Sequence, residues 1–458
     1  MSRVYMLAQA LLPTGFATNV RVTVADGRFT AVEPDAPAAG AHTLAGLALP
    51  GVPNLHCHAF QRGMAGLAER RGPASDSFWT WREVMYRFLA RLTPDDAEAI
   101  AAFAYMQMLE RGFSAVAEFH YLHHDIDGSP YADRGEMAGR IAAAAAATGI
   151  GLTLLPSLYG YGGLGGQPAV AGQRRFLNDP DRFARLVERS REVVRAVPGA
   201  KVGIAPHSLR AVTPDTLRAA LAVAPDGPVH IHAAEQVKEV EDCVAWSGRR
   251  PVEWLLDEMP VDDRWVLIHT THMTPDETVR LARSGAVAGL CPLTEASLGD
   301  GIFRGADYLE ARGRFGVGTD SNIDIDPAGE LRQLEYSQRL AHRARNVMAT
   351  AEGESTGRRL LSEALSGGAQ ALAQPLGAIA VGKRADLVVL DTTHPDLACV
   401  SGDRAIDRLI DLWLFVAGRD AVKTVMAGGS LVVEAGRHRA RDAITARYVA
   451  TLARILAE

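Results

Sequence analysis

His56-Cys57-His58 places two imidazoles at alternate positions, at the end of an apolar run, Leu49-Pro50-Gly51-Val52-Pro53-Asn54-Leu55, broken by Pro and Gly. On a strand, alternate side chains share a face, so His56 and His58 point together and Cys57 points away. Paired imidazoles are a half-site for a borderline cation such as Zn²⁺. Two unrelated histidines on a loop would look the same, so the remaining residues decide. Other apolar runs also end in ionisable residues. Val202 to Pro206 leads to His207. Val229-His230-Ile231 leads to His232, with Glu235 three residues on. Trp265 to Ile268 leads to His269, and Phe315 to Thr319 leads to Asp320. A buried His or Asp at a strand end is costly unless paired or metal-bound. Several such ends aimed into one mouth are most simply reconciled by a shared divalent cation.

The elements that must position these residues follow from periodicity. Strand-like apolar runs end near His56, His120, Pro156, His207, His232, His269, Cys291 and Asp320. Helical patterns over 95–111, 180–197, 214–224, 237–246 and 275–283 lie between them. Alternation of this kind predicts an α/β fold, a parallel (β/α)₈ TIM-like barrel over 50–375, whose strand ends gather the chemistry. The two chain ends read as short strands and turns, with Gly428-Gly429 as a hairpin turn. They predict one small β-sandwich domain from 1–49 plus 376–437. Residues 438–458 predict a terminal helix on the surface.

Composition narrows the function. The chain has 458 residues, 48% hydrophobic and 22% charged, with a net charge of −6. That balance is ordinary for a globular protein and argues against nucleic acid as a partner. Cys57, Cys243, Cys291 and Cys399 are scattered without C-x-x-C spacing. This predicts a reducing, cytoplasmic setting with no disulfide framework or thiolate zinc knot. Cys57 and Cys291 are expected to pack, not to bind metal. No charge-free apolar window is long enough for a membrane span, and the N-terminal run reads as a strand.

The barrel pattern, the flanking β domain and the order HxH…H…H…D together resemble the amidohydrolase superfamily, over nearly the whole chain. Carried over position by position, His56, His58, His232 and Asp320 resemble its metal ligands. His269 resembles the histidine beside the attacking water, and Glu235 the proton-shuttling glutamate of the deaminase branch. Two-metal members carry a lysine at the end of strand four. Here that end is His207, so the resemblance implies one Zn²⁺ per subunit, with another divalent metal possible. Zn²⁺ lowers the pKa of a bound water to about 7. Asp320 and His269 would take its proton as hydroxide attacks, and Glu235 would protonate the departing nitrogen.

Four stretches, 53–62, 78–83, 118–123 and 207–212, resemble most closely the superfamily members that hydrolyse the linear amidine N-formimidoyl-L-glutamate to N-formyl-L-glutamate and ammonia in histidine degradation. A substrate with two carboxylates suits Arg82 and Arg210, because Arg binds carboxylate through a planar fork. Gln61, Tyr121 and His207 would supply further hydrogen bonds. The resemblance also implies a homodimer. Plainer readings stand beside these roles. Glu235 opens a helix, where acids are favoured anyway. The stretch around Arg82 also fits an amphipathic helix or a subunit contact. His120, His123 and His124 are expected to support the pocket wall. The rival activity is an aromatic-base deaminase of guanine or adenosine type, and the rival class is a catalytically dead scaffold.

Overall fold

Thr-Pro and Asp-Pro pairs start four of the barrel helices. In the computed structural model, which describes residues 2–72, 75–400 and 405–457, Thr93, Asp179, Thr213 and Thr274 each accept a backbone N–H three residues on. The helices they cap are Pro94–Glu110, Pro180–Val193, Pro214–Val223 and Pro275–Ser284. The side chain satisfies an otherwise orphaned donor, and the proline removes another at the first helical position.

The strands between are Val52–Cys57, Phe113–His120, Gly151–Leu158, the pair Lys201–Val202 and Ala205–Pro206, Val229–Ala233, Trp265–His269, Val287–Leu290 and Arg314–Val317. All are parallel. Single bridges, Ile204 with Val229 and Cys57 with Asp320, join the two half-barrels. The ring is thus the expected (β/α)₈ barrel, and its interior is packed by fully buried side chains such as Leu55, Val266 and Ile268. The fourth strand is broken where a continuous one was expected. A Cβ at Gly203 would stand 2.4 Å from the Pro228 carbonyl oxygen, and Pro206 has no N–H to give a ladder.

Both chain ends build one eight-stranded sheet, in the order Arg437–His438, Ser430–Glu434, Val422–Ala427, Leu387–Leu390, His42–Pro50, Arg3–Leu12, Gly15–Ala25, Arg28–Glu33. Its N-terminal end folds back onto the C-terminal part. Phe29 N–H donates to Lys383 O at 3.0 Å and Ala385 N–H to Gly27 O at 2.8 Å. The folded sheet encloses Tyr5, Leu7, Val20, Val22, Val389 and Met426, so the expected sandwich is a single sheet doubled over. The helix Arg441–Leu456 follows and stacks Tyr448 on Phe103 at 3.9 Å between ring centroids. Among the described residues no helix is long and apolar enough to cross a membrane.

Candidate active site

The seam where the barrel closes is also where the ionisable groups meet. Asp320 N–H donates to His56 O and His58 N–H to Asp320 O, both at 3.0 Å. The seam is tied further by buried side chains. Asn54 Nδ2 donates to Thr319 Oγ1 (2.8 Å), Thr319 Oγ1 to Asn322 Oδ1 (2.7 Å), and Asn322 Nδ2 to His58 O and Asp320 O (3.0 Å each). Gly318 lets the strands lie this close, since a Cβ there would sit 2.7 Å from both the backbone N and O of His56. Gly318→Ala is therefore expected to destabilise the fold by about 1–3 kcal/mol. It should also lower the metal retained, as measured by thermal denaturation and by metal content.

Four side chains converge at this seam. His56 Nε2 and His58 Nε2 each lie 3.4 Å from Asp320 Oδ1. His232 Nε2 lies 3.2 Å from His56 Nε2. The ring tautomers follow from the far nitrogens. His58 Nδ1 donates to Phe119 O (2.9 Å) and His232 Nδ1 to His207 O (2.8 Å), so each Nε2 turns a lone pair to the centre. Burial holds the His56 ring down to about 3, against its bond to Asp320, and lowers His58 and His232 as well. Burial alone would raise the Asp320 carboxyl, but its bond to His56 and the neighbouring histidines hold it well below the usual range. Three imidazoles kept neutral by burial, two of them with lone pairs turned to the centre, around one carboxylate are a donor set that fits a divalent cation such as Zn²⁺.

Beside the centre, His269 Nε2 lies 3.9 Å from both Glu235 Oε1 and Asp320 Oδ2. Burial would lower this ring, yet the carboxylates of Glu235, Glu295 and Asp320 raise it to about 10. Burial raises the Glu235 carboxyl, against the charges of His269 and Arg210. The backbone is left-handed at Ala234 (φ 53°), His269 (φ 69°) and Asp320 (φ 43°). Non-glycine residues held this way cost about 1–3 kcal/mol each and cluster at functional sites.

A cavity of about 560 Å³, counted with the solvent at its open mouth, leads out from this centre. Every expected contact residue lines it: Gln61, Arg82, Tyr121, His207 and Arg210. Gln61 Nε2 donates to Tyr121 Oη at 2.8 Å. Arg210 Nη2 is 3.4 Å from Glu235 Oε2. Arg82, on the helix Phe78–Leu89, lies over the Trp79 ring at 4.7 Å. Three buried polar atoms of these residues, Gln61 Oε1, Arg82 Nε and Arg210 Nε, have no partner among the described residues.

His120, His123 and His124 do not line this cavity. His123 Nε2 donates to Ser157 O and His124 Nε2 to Leu177 O, so these two brace the loops behind it. Cys57 and Cys291 are buried and free. The sequence reading missed Glu295, whose Oε1 faces His269 Nδ1 at 3.2 Å while accepting the Cys291 N–H at 2.8 Å. It missed Glu118 as well. This lone acid of an apolar strand accepts Ala59 N–H and Tyr105 O–H, both at 2.9 Å, and burial raises it to about 7. Tyr86, Tyr159 and Phe176, also in the wall, carried no signal of spacing.

Known proteins place this geometry. Residues 47–432 match the Amidohydrolase family, and residues 4–45 match the N-terminal domain described as Formimidoylglutamate deiminase HutF. The chain is 53% identical over 450 residues to the formimidoylglutamate deiminase of Pseudomonas aeruginosa, covering 98% of each chain. A crystal structure of an amidohydrolase from Brucella melitensis superposes with a TM-score of 0.94 at 52% identity, covering 99% of this chain and 100% of that one. An adenosine deaminase from Xanthomonas campestris with bound zinc has a TM-score of 0.82 at 22% identity, covering 99% and 98%; at that identity it shares the fold. A barrel closed at a histidine-aspartate seam, matched along most of its length by the family's own pattern and over nearly all of it by a half-identical relative, places this chain in the amidohydrolase family.

Proposed function

We propose that the protein hydrolyses N-formimidoyl-L-glutamate to N-formyl-L-glutamate and ammonia. The observation that carries this reading is the cavity's polarity. One end holds the metal-ligand set. The other holds two guanidinium groups, Arg82 and Arg210, whose only carboxylate within ion-pair distance among the described residues is Glu235 at 3.4 Å from Arg210. Arg82 has no carboxylate partner there and Arg210 has only that one, so a substrate with two carboxylates supplies the anions this end lacks. The 53% identical formimidoylglutamate deiminase supports the same substrate.

In this reading His56, His58, His232 and Asp320 hold one zinc per subunit. Bound there, zinc supplies Lewis-acid polarisation and a water whose pKa falls to about 7. Asp320 stands where it can take a proton from water, with the His269 ring 3.9 Å away to orient that water. Glu295, bonded to His269 Nδ1, keeps that ring turned toward Asp320 and Glu235. Glu235, its carboxyl raised by burial, holds a proton for the nitrogen that leaves as ammonia. Gln61, Tyr121 and His207 orient the amidine, while Arg82 and Arg210 clamp carboxylates. Arg210→Ala is expected to raise KM by about 10–100-fold, the scale of a charged hydrogen bond, with a smaller change in kcat; steady-state ammonia release checks it.

The rival purine deaminase shares the fold but has no use for two guanidinium clamps. Ammonia release by zinc-loaded protein should be compared across N-formimidoyl-L-glutamate, N-formimidoyl-L-aspartate, adenosine and guanine. Turnover of the formimidoyl-amino acids alone is expected. Release from purines alone would replace this reading with the rival. We further assign the protein to the cytoplasm as a homodimer, the latter tested by light scattering on the eluting peak.

A further inference from the structure

The cavity's outer wall contains a tyrosine whose hydrogen bonding is fixed from behind. Gln173, buried at 1% exposure, accepts the Val170 N–H on Oε1 at 2.8 Å. A backbone N–H can only donate, so this contact settles which end of the amide is oxygen. Gln173 Nε2 therefore faces Tyr159 Oη, at 2.7 Å, as donor. The Tyr159 oxygen is an acceptor in that bond, so its own proton must point elsewhere. Among the described residues that O–H has no acceptor, and Tyr159 lines the cavity.

Its neighbours along the wall are donors too. The charges of Arg210 and Arg82 both act on the phenol, which burial raises so that it stays protonated. Both guanidiniums have a buried Nε without a partner. Tyr86, whose ring packs under Gly172 (a Cβ there would meet it at 2.5 Å), completes this wall.

We propose that Tyr159 is a specificity-determining residue that donates its hydroxyl proton to a substrate carboxylate, and that Gln173 is the positioning residue that turns this proton into the cavity. The inference rests on the dicarboxylate substrate proposed above and adds a third donor to its two guanidinium clamps. A carboxamide brought to this wall would turn an NH₂ donor and a single accepting oxygen to three donors, so the wall selects anions over isosteric amides.

The test combines kinetics with binding of a probe that needs no turnover. Zinc-loaded wild type, Tyr159→Phe, Gln173→Glu and the double variant would be titrated with glutarate by calorimetry. KM for N-formimidoyl-L-glutamate would be measured alongside, and thermal melts would confirm folding. Tyr159→Phe is expected to weaken glutarate and raise KM by about tenfold. Gln173→Glu keeps the shape and still accepts the Val170 N–H. Its second oxygen now accepts the phenol proton, so the hydroxyl turns from the cavity and glutarate binding falls as in Tyr159→Phe. In the Tyr159→Phe background the same change should cost nothing further.

Glutarate affinity within twofold of wild type in Tyr159→Phe would overturn the proposal. So would an equal cost of Gln173→Glu with and without the hydroxyl, because the effect would then be through-space charge. A wild type that does not bind glutarate would overturn it as well. Glutarate binding that depends on Tyr159, in a protein that does not turn over N-formimidoyl-L-glutamate, would uphold the donor wall and remove the proposed reaction.

Discussion

Asp320→Ala protein is expected to emerge from purification without zinc and to lose at least about a thousandfold in kcat/KM, on the scale of removing a group that stabilises transition-state charge. Asp320 is the one carboxylate of the proposed ligand set, and it stands 3.4 Å from two of its three imidazoles. Burial already keeps His56 and His232 neutral. Without Asp320 the set carries no negative charge to offset a dication at a buried site. The backbone seam does not need the side chain, since its two hydrogen bonds use Asp320 N and O, so the variant should fold. Metal content by plasma emission, read beside ammonia release, checks both halves. Full turnover in metal-free Asp320→Ala would remove the metal from the mechanism.

Glu235→Gln is the complementary case, because it should separate proton transfer from metal binding. The change is expected to lower kcat by about 10²–10⁴-fold, the usual worth of a positioned acid–base group, with zinc content unchanged. The turn that aims Glu235 is held from elsewhere. Glu239 accepts the N–H of Ala234 (3.3 Å) and of Glu235 (3.1 Å), so an amide at 235 keeps its place. It cannot release a proton to the leaving nitrogen, and it leaves Arg210 without its carboxylate at 3.4 Å. A loss of zinc in parallel with activity would instead make Glu235 part of the metal's support.

Much of this was readable in advance because the chemistry sits at the ends of regular elements. His56, His232, His269 and Asp320 stand out as ionisable residues at the ends of apolar runs, and Thr-Pro and Asp-Pro pairs mark where the barrel helices begin. The parts that were not readable depend on distant partners. Glu295 reads as an ordinary acid in a short helix, until the fold sets it against His269. Tyr159 and Gln173 flank the irregular segment Gly160-Tyr161-Gly162-Gly163-Leu164-Gly165-Gly166, where no period says which side chain faces inward. His123 and His124 mislead in the opposite sense. One ring nitrogen of each is spent on a backbone carbonyl, a use that spacing alone does not distinguish from ligation. The β domain shared by the two chain ends was read from its strands and turns, but its being one sheet doubled over was not, because strand order depends on pairing between segments far apart in sequence.

The closure of the barrel at the seam that carries the proposed metal ligands bears on the order of events during synthesis. His56 and His58 emerge early, yet Asp320 and the Asn322 that braces them follow more than 260 residues later. The Leu387–Leu390 strand that pairs with His42–Pro50 comes later still. A nascent chain therefore passes most of its elongation with an incomplete ligand set. Metal loading should be a late, post-translational step, and a ribosome-stalled chain ending before Asp320 should hold no tightly bound zinc.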